Sequence, residues 1–197
     1  MKKHLAIILL GAALMAACRP QEEPTLRTGD LIFIASQGDM SQAIATSTGS
    51  ITHVAIVLCT DSGAYAVDAA PGQGVAATPL DDYLQVLQQQ NVRILIQRPD
   101  FRFDTMRLHE QVVRTLGCPY DSAFLPNNEA YYCSELVQTL LRDSAGNELI
   151  HSRPMNFLDT AGMLPTFWKQ WFERLSLPVP QDTPGTNPHD LYLFIIE

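Results

Sequence analysis

Two short apolar runs on either side of a turn restrict the fold of this chain more than any other feature. Residues 52–58 are rich in valine and isoleucine, as buried strands are, and residues 65–69 continue the pattern after the turn. The polar residues 60–63, ending in glycine, are typical of a tight turn. An antiparallel hairpin is therefore predicted. Counting back from the turn places His53 and Asp68 on neighbouring rungs of that hairpin.

A predicted helix carries a cysteine at its first turn. Apolar side chains recur at helical spacing and predict a helix over about 134–142, namely Leu136, Val137, Leu140 and Leu141. Cys133 lies where unpaired backbone N–H groups and the positive end of the helix dipole favour a thiolate. With His53 and Asp68 it would supply a nucleophile, a base and an orienting carboxylate. The alternative is that Cys133 is a small buried hydrophobic residue.

These residues resemble the circularly permuted papain-like amidases of the YiiX/YaeF type, relatives of NlpC-type peptidases and of lecithin:retinol acyltransferase. The resemblance covers residues 26 to 195 and rests on five blocks in the family's order: 29–33, 52–57, 68–75, 117–121 and 132–136. It implies an α+β, circularly permuted papain-like (NlpC-like) fold, with an antiparallel sheet packed against the helix that bears the catalytic cysteine. It also implies that Cys133, His53 and Asp68 are catalytic, although many members have glutamate at the position of Asp68.

Further candidates for the site come from the segment before Cys133. The predicted loop over 119–128 leads directly into this cysteine, so Tyr120 and one of the tyrosines at 131 and 132 are placed to line the site. Tyr120, Tyr132 and Ser134 are the candidates for substrate or oxyanion binding. Each tyrosine is otherwise an ordinary half-buried aromatic residue.

The first 25 residues have the pattern of an export signal. Two lysines precede an apolar run over 5–17, which is too short to span a bilayer but well sized for a signal peptide. Residues 15–18 resemble the lipobox of a bacterial lipoprotein, which implies diacylation of Cys18. The predicted organisation is a signal peptide over 1–17, a lipidated N-terminus and tether over 18–25, and one hydrolase domain over 26–197. An ordinary secretory signal and a plain N-terminal anchor are the alternatives.

The same segment predicts a location. Arg19 follows the cysteine where aspartate would be the inner-membrane signal, which by resemblance to Gram-negative sorting implies the periplasmic face of the outer membrane. The membrane would then be a partner through the lipid anchor. A formal charge of −8 at pH 7 argues against binding to nucleic acid.

The remaining pattern predicts the other elements. Strands are expected over 31–35, 92–97 and 191–196, helices over 81–90 and 105–116, a short helix within 36–50, and a loop over 71–78. Gly117 is expected to end the second helix in a left-handed conformation. Trp168, Trp171 and Phe172 lie at helical spacing within 163–175, which favours a core helix over a surface that grips lipid.

Three classes of function are compatible with these residues. The first is a cysteine hydrolase that cleaves an amide or ester in cell-wall peptides or related amides, and the second is a lipid amidase or acyltransferase acting on acyl substrates. The third is a non-catalytic envelope lipoprotein that binds a ligand. No cofactor motif and no zinc-ligand spacing is present in the sequence. A disulfide between Cys59 and Cys118 is compatible with export but is not fixed by the sequence.

Overall fold

The computed structural model describes residues 25–196. The predicted signal peptide and the lipidation site at Cys18 lie outside these residues. None of the described helices combines the length and the apolar character needed to cross a membrane.

The described residues form seven strands and six helices. In chain order they are β1 (Leu31–Ala35), α1 (Asp39–Thr48), β2 (His53–Thr60), β3 (Gly63–Ala70), β4 (Gly74–Pro79), α2 (Leu80–Gln89), β5 (Arg93–Gln97), α3 (Thr105–Thr115), α4 (Cys133–Leu140), β6 (Arg153–Pro154), α5 (Thr166–Leu175), β7 (Pro184–Gly185) and α6 (Pro188–Ile196).

The central sheet has five antiparallel strands in the order β4-β3-β2-β1-β5. The predicted hairpin is present as β2 and β3, with Thr60 opposite Gly63 and Ile56 opposite Val67. The prediction of a loop over 71–78 is wrong from residue 74 onward, because β4 begins at Gly74 and pairs with β3. The small residues of β4 give a weak periodic signal, so the strand is defined by the pairing of Val75 with Ala69 rather than by its own pattern.

Helices cover both faces of this sheet. On one face, α3, α4 and α6 bury a core with the apolar side chains of β1, β2 and β3, including Leu108, Val137 and Leu191. On the other face, α2 packs through Leu80 and Leu87. Burial on both sides explains why β2 reads as a nearly continuous apolar run. The mixed α+β architecture with an antiparallel sheet is as predicted.

The last element is a helix, and the strand predicted over 191–196 is wrong. A short apolar run is compatible with either structure, and its flanking residues decide between them. Here Pro188 occupies the first helical position, and the Asn187 side chain accepts a hydrogen bond from the Asp190 N–H at 2.8 Å. The helix start was therefore present in the sequence as a capping signal.

A third cluster of buried residues is aromatic and lies beside α5. Trp168 and Phe172 are each 2% exposed, which confirms their predicted place in the core. They pack edge to face against Phe124 and Phe157. Trp171 is half-buried and donates its indole N–H to the Ser122 carbonyl at 2.9 Å. This cluster forms the floor under the cysteine at the start of α4.

Candidate active site

His53 and Asp68 are joined across the β2–β3 hairpin. His53 is the first residue of β2, and Asp68 lies in β3, one residue beyond the partner of Ile56. The distance from His53 Nε2 to Asp68 Oδ2 is 2.7 Å, and the Asp68 side chain is only 7% exposed. Since the Asp68 carboxylate is hydrogen-bonded to Nε2, the other ring nitrogen of His53, Nδ1, is available to exchange a proton with a thiol.

A tyrosine that sequence reasoning missed completes this chain of hydrogen bonds. The hydroxyl of Tyr83, on α2, donates to Asp68 Oδ2 at 3.1 Å. Burial, and then the charge of Asp68, raise the pKa of Tyr83 well above its ordinary value, so the hydroxyl keeps its proton. Tyr83 thus orients the carboxylate of Asp68, which in turn orients His53. Nothing in the local pattern of 81–90 marks it, because the contact is made only when α2 packs on the sheet.

Cys133 is the first residue of α4, one position earlier than the predicted start of that helix. It is 6% exposed, and α4 packs on both β2 and β3, the strands that carry His53 and Asp68. Burial alone would lower the pKa of His53, but the charge of the Cys133 thiolate, followed by the hydrogen bond and charge of Asp68, raises it to about 10. The neighbouring Cys133 and Asp68 therefore favour the protonated form of His53.

The first turn of α4 carries a carboxyl group that is largely neutral. Glu135 accepts a hydrogen bond from the Tyr132 N–H at 3.4 Å. Burial, and then the charge of Asp121, raise the pKa of Glu135 to about 8. At pH 7 it is mostly protonated and adds little negative charge beside Cys133. A charged Glu135 therefore does not offset the positive end of the helix dipole at Cys133.

A narrow apolar cleft of about 40 Å³ opens at Cys133. Most of its lining is apolar or aromatic and includes Ile44, Tyr120, Phe124, Tyr132, Met155, Phe157 and Trp168. The polar lining residues are Ser47, Thr48, Asn156, Thr186 and Asn187. Two of the three predicted binding residues, Tyr120 and Tyr132, are in this lining. The third, Ser134, is not, since it is fully buried and its hydroxyl has no hydrogen-bond partner among the described residues.

The two tyrosines of the cleft differ in how their hydroxyls are used. The Tyr132 hydroxyl accepts the Thr186 N–H at 3.0 Å and donates to Met155 Sδ at 3.7 Å. The Tyr120 hydroxyl has only a long contact with Met40 Sδ, at 4.0 Å. Tyr120 is therefore the better placed of the two to donate a hydrogen bond to a bound molecule.

The other described cysteines are free thiols outside the cleft lining. Cys59 lies near the far end of β2 from His53, and Cys118 follows α3. Within residues 25–196, no group of three or more His, Cys, Asp and Glu side chains is placed to hold a metal ion.

Comparison with known proteins agrees with this fold. The chain is 24% identical to "Uncharacterized protein YiiX" of Escherichia coli (strain K12), over 98% of this chain and 92% of that protein. The crystal structure of YiiX from Escherichia coli O157:H7, which is described as a metalloprotein, superposes with a TM-score of 0.69 at 21% identity. That match covers 84% of this chain and 91% of the other, and it establishes the shared fold.

A family model covers most of the domain and includes every residue of the His53, Asp68 and Cys133 group. It is described as the permuted papain-like amidase enzyme, YaeF/YiiX, C92 family, and it matches residues 25–192. On this match over residues 25–192, the chain belongs to the permuted papain-like amidase family.

Proposed function

We propose that this protein is a cysteine hydrolase that cleaves an amide or ester bond, with Cys133 as nucleophile, His53 as base and acid, and Asp68 as the carboxylate that orients His53. The observation that carries the proposal is the chain of hydrogen bonds from Tyr83 through Asp68 to His53. The pKa of His53 is in turn raised by the Cys133 thiolate. Three separate elements converge to build this chain of hydrogen bonds. Burying a chain of polar groups costs desolvation free energy, and such groups are concentrated at functional sites.

The reaction follows from the charges of the site. The Cys133 thiolate adds to the substrate carbonyl carbon, and the negative charge moves to the carbonyl oxygen. The free backbone N–H groups at the start of α4, with the Tyr120 hydroxyl, bind that oxygen. As the carbon–nitrogen bond breaks, the imidazolium of His53 gives its proton to the leaving amine. His53 then takes a proton from water, hydroxide attacks the thioester, and the carboxylic acid leaves while the thiolate is restored.

The position of the cleft supports a proposal for where the two halves of the substrate lie. His53 must reach the leaving amine, yet His53 is not part of the cleft lining. The leaving group therefore lies on the His53 side, and the acyl group enters the cleft. Its hydrophobic lining selects an apolar acyl group. Among envelope substrates, this includes cell-wall peptides with an apolar residue at the acyl position.

The same cleft favours a second candidate function. A lining built from Phe124, Phe157 and Trp168 suits a hydrocarbon chain as well as an apolar side chain. A lipid amidase or acyltransferase that acts on membrane-derived acyl amides would use the same nucleophile. The acyltransferase differs only in the last step, where an alcohol or amine replaces water.

Incubation of the full-length protein with two panels tests the proposal. One panel holds cell-wall peptides, the other N-acyl amides and acyl esters of lipids, and products are identified by mass spectrometry. A fluorescent thiol-reactive probe measures labelling of Cys133 in parallel. We expect turnover of substrates with an apolar acyl group, and an alcohol added to the reaction distinguishes transfer from hydrolysis. Probe labelling without turnover of any amide or ester would instead support the non-catalytic binding function.

We also propose that the mature protein is held at the periplasmic face of the outer membrane through Cys18. The order of charged, apolar and lipobox residues in the sequence supports this. Replacing Cys18 with serine should release the protein into the soluble periplasmic fraction or leave it unprocessed, because the acyl chains supply the attachment. Membrane fractionation with mass analysis of the N-terminus measures this. Recovery of wild-type protein in the soluble fraction, with unmodified Cys18, would contradict it.

A further inference from the structure

A second cavity lies behind the cleft at Cys133. It occupies about 90 Å³ between the 150–155 segment and α6. Its walls combine the apolar residues Ile150, Pro154, Leu191 and Phe194 with the polar residues His151, Arg153 and Asp190. Three residues line both this cavity and the cleft: Met155, Thr186 and Asn187. One layer of side chains therefore separates the two spaces.

The backbone on either side of this layer is fixed. The Met155 N–H donates to the Thr183 carbonyl at 2.9 Å, and the Met155 carbonyl accepts the Asp182 N–H at 2.9 Å. The Asn187 side chain is held at both ends by Asp190, at 2.9 and 2.8 Å. Neither residue can leave the wall by moving its backbone without losing these hydrogen bonds.

The Met155 side chain is the part of the wall that can move. It is 8% exposed, and its sulfur receives only the long contact from the Tyr132 hydroxyl at 3.7 Å. It lies directly over Gly185, where an added Cβ would come within 2.4 Å of Met155 Sδ. An unbranched thioether has three rotatable bonds and changes rotamer at low cost. Beside it, the Thr186 hydroxyl is buried and has no hydrogen-bond partner among the described residues.

We propose that Met155 sets the length of the acyl group that the site accepts, by closing the passage between the Cys133 cleft and the second cavity. This rests on the proposed function, in which the acyl group enters the cleft. The cleft alone has room for about three waters, by the measure of about 10–15 Å³ for each, and thus for a short acyl group. With the Met155 side chain removed, a longer chain continues into the second cavity along its apolar residues, Ile150, Leu191 and Phe194.

Hydrolysis of p-nitrophenyl esters of increasing chain length tests this assignment. The full-length protein and Met155→Ala are assayed with acetyl, butyryl, octanoyl and dodecanoyl esters. We expect the ratio of kcat/KM for octanoyl over acetyl to rise by about tenfold or more in Met155→Ala, because each methylene admitted to an apolar pocket improves kcat/KM by about that factor. Met106→Ala is the matched control, since Met106 lies on α3 with its side chain 75% exposed, and its ratio should equal that of the wild type.

A second substitution locates the gain. Adding Phe194→Trp to Met155→Ala fills the second cavity and should remove the gain for long chains. Met155→Val gives a smaller opening if the alanine variant does not fold, with folding followed by circular dichroism. An equal change in kcat/KM for every chain length would overturn the assignment and leave Met155 as a packing residue. A gain that survives Phe194→Trp would also overturn it.

A readout that needs no turnover separates this inference from the proposed function. Alkyl chloromethyl ketones of the same chain lengths alkylate a thiol directly, and peptide mass mapping reports the labelling rate at Cys133 alone. Faster labelling by long chains in Met155→Ala supports the gate even if no ester is hydrolysed, in which case only the proposed function fails. Unchanged chain-length dependence in this assay refutes the gate whether or not the protein is a hydrolase.

Discussion

Replacing Cys133 with alanine should reduce turnover of the best substrate from the two panels by about 10⁵- to 10⁶-fold. The thiolate is the group that adds to the carbonyl, and among residues 25–196 no other cysteine lies in the cleft lining. The fold should persist, because alanine is small and apolar and Cys133 is 6% exposed, so we expect a change of about 1 kcal/mol or less in the free energy of unfolding. Steady-state kinetics and thermal unfolding measure the two effects.

The control for this experiment is Cys118→Ala, which removes a half-buried free thiol outside the cleft. It should retain wild-type kcat and KM. Full activity in Cys133→Ala would end the hydrolase proposal, whatever the effect of the control.

Replacing His53 with alanine should lower kcat by about 10²- to 10⁴-fold, because the leaving amine loses its proton donor. In the wild-type protein, kcat should also fall as the pH rises through about 10, the pKa of His53, since the imidazolium carries the proton that the amine needs. That alkaline limb should be absent from the residual activity of His53→Ala. Combining His53→Ala with Cys133→Ala should be hardly worse than Cys133→Ala alone, because groups that act as one unit are not additive.

The residues behind His53 provide a graded comparison for this prediction. Asp68→Asn leaves a side chain that can still orient the imidazole but removes the charge that stabilises the imidazolium, so its loss should be smaller than that of His53→Ala. Tyr83→Phe removes only one hydrogen bond to Asp68, at 3.1 Å, and should be milder still. It should also change the pH at which the alkaline limb begins, which a purely structural role for Tyr83 would not do. A loss in Asp68→Asn as deep as in Cys133→Ala would show that the carboxylate does more than orient His53.

The sequence was most informative where local and tertiary preferences agree. The β2–β3 hairpin was predictable because its strand residues and its turn point to the same structure. Helix α3 was predictable because its apolar face, from Leu108 to Val112, is followed by Gly117 with a φ of 80°. The hairpin also placed His53 close to Asp68, since an antiparallel register is set by counting from the turn.

The prediction failed where a short segment had no decisive pattern of its own. The run 191–196 is apolar throughout and fits a strand or a helix, and the cap at Asn187 was the feature that should have decided it. Strand β4 consists of small residues and is defined by its partner strand. For 191–196 the missing information lay in the residues that precede the segment, and for β4 it lay in the partner strand.

By itself, the sequence determined the hairpin that joins His53 to Asp68 and the helix that begins at Cys133. Only the tertiary structure decided how these parts meet. The packing of α4 on β2 and β3 brings the charge of Cys133 to His53, and the packing of α2 brings Tyr83 to Asp68. The apolar cleft likewise draws its walls from residues as far apart as Ile44 and Thr186. Local patterns follow from backbone geometry over a few residues, whereas a pocket is defined by side chains that become neighbours only when the core closes.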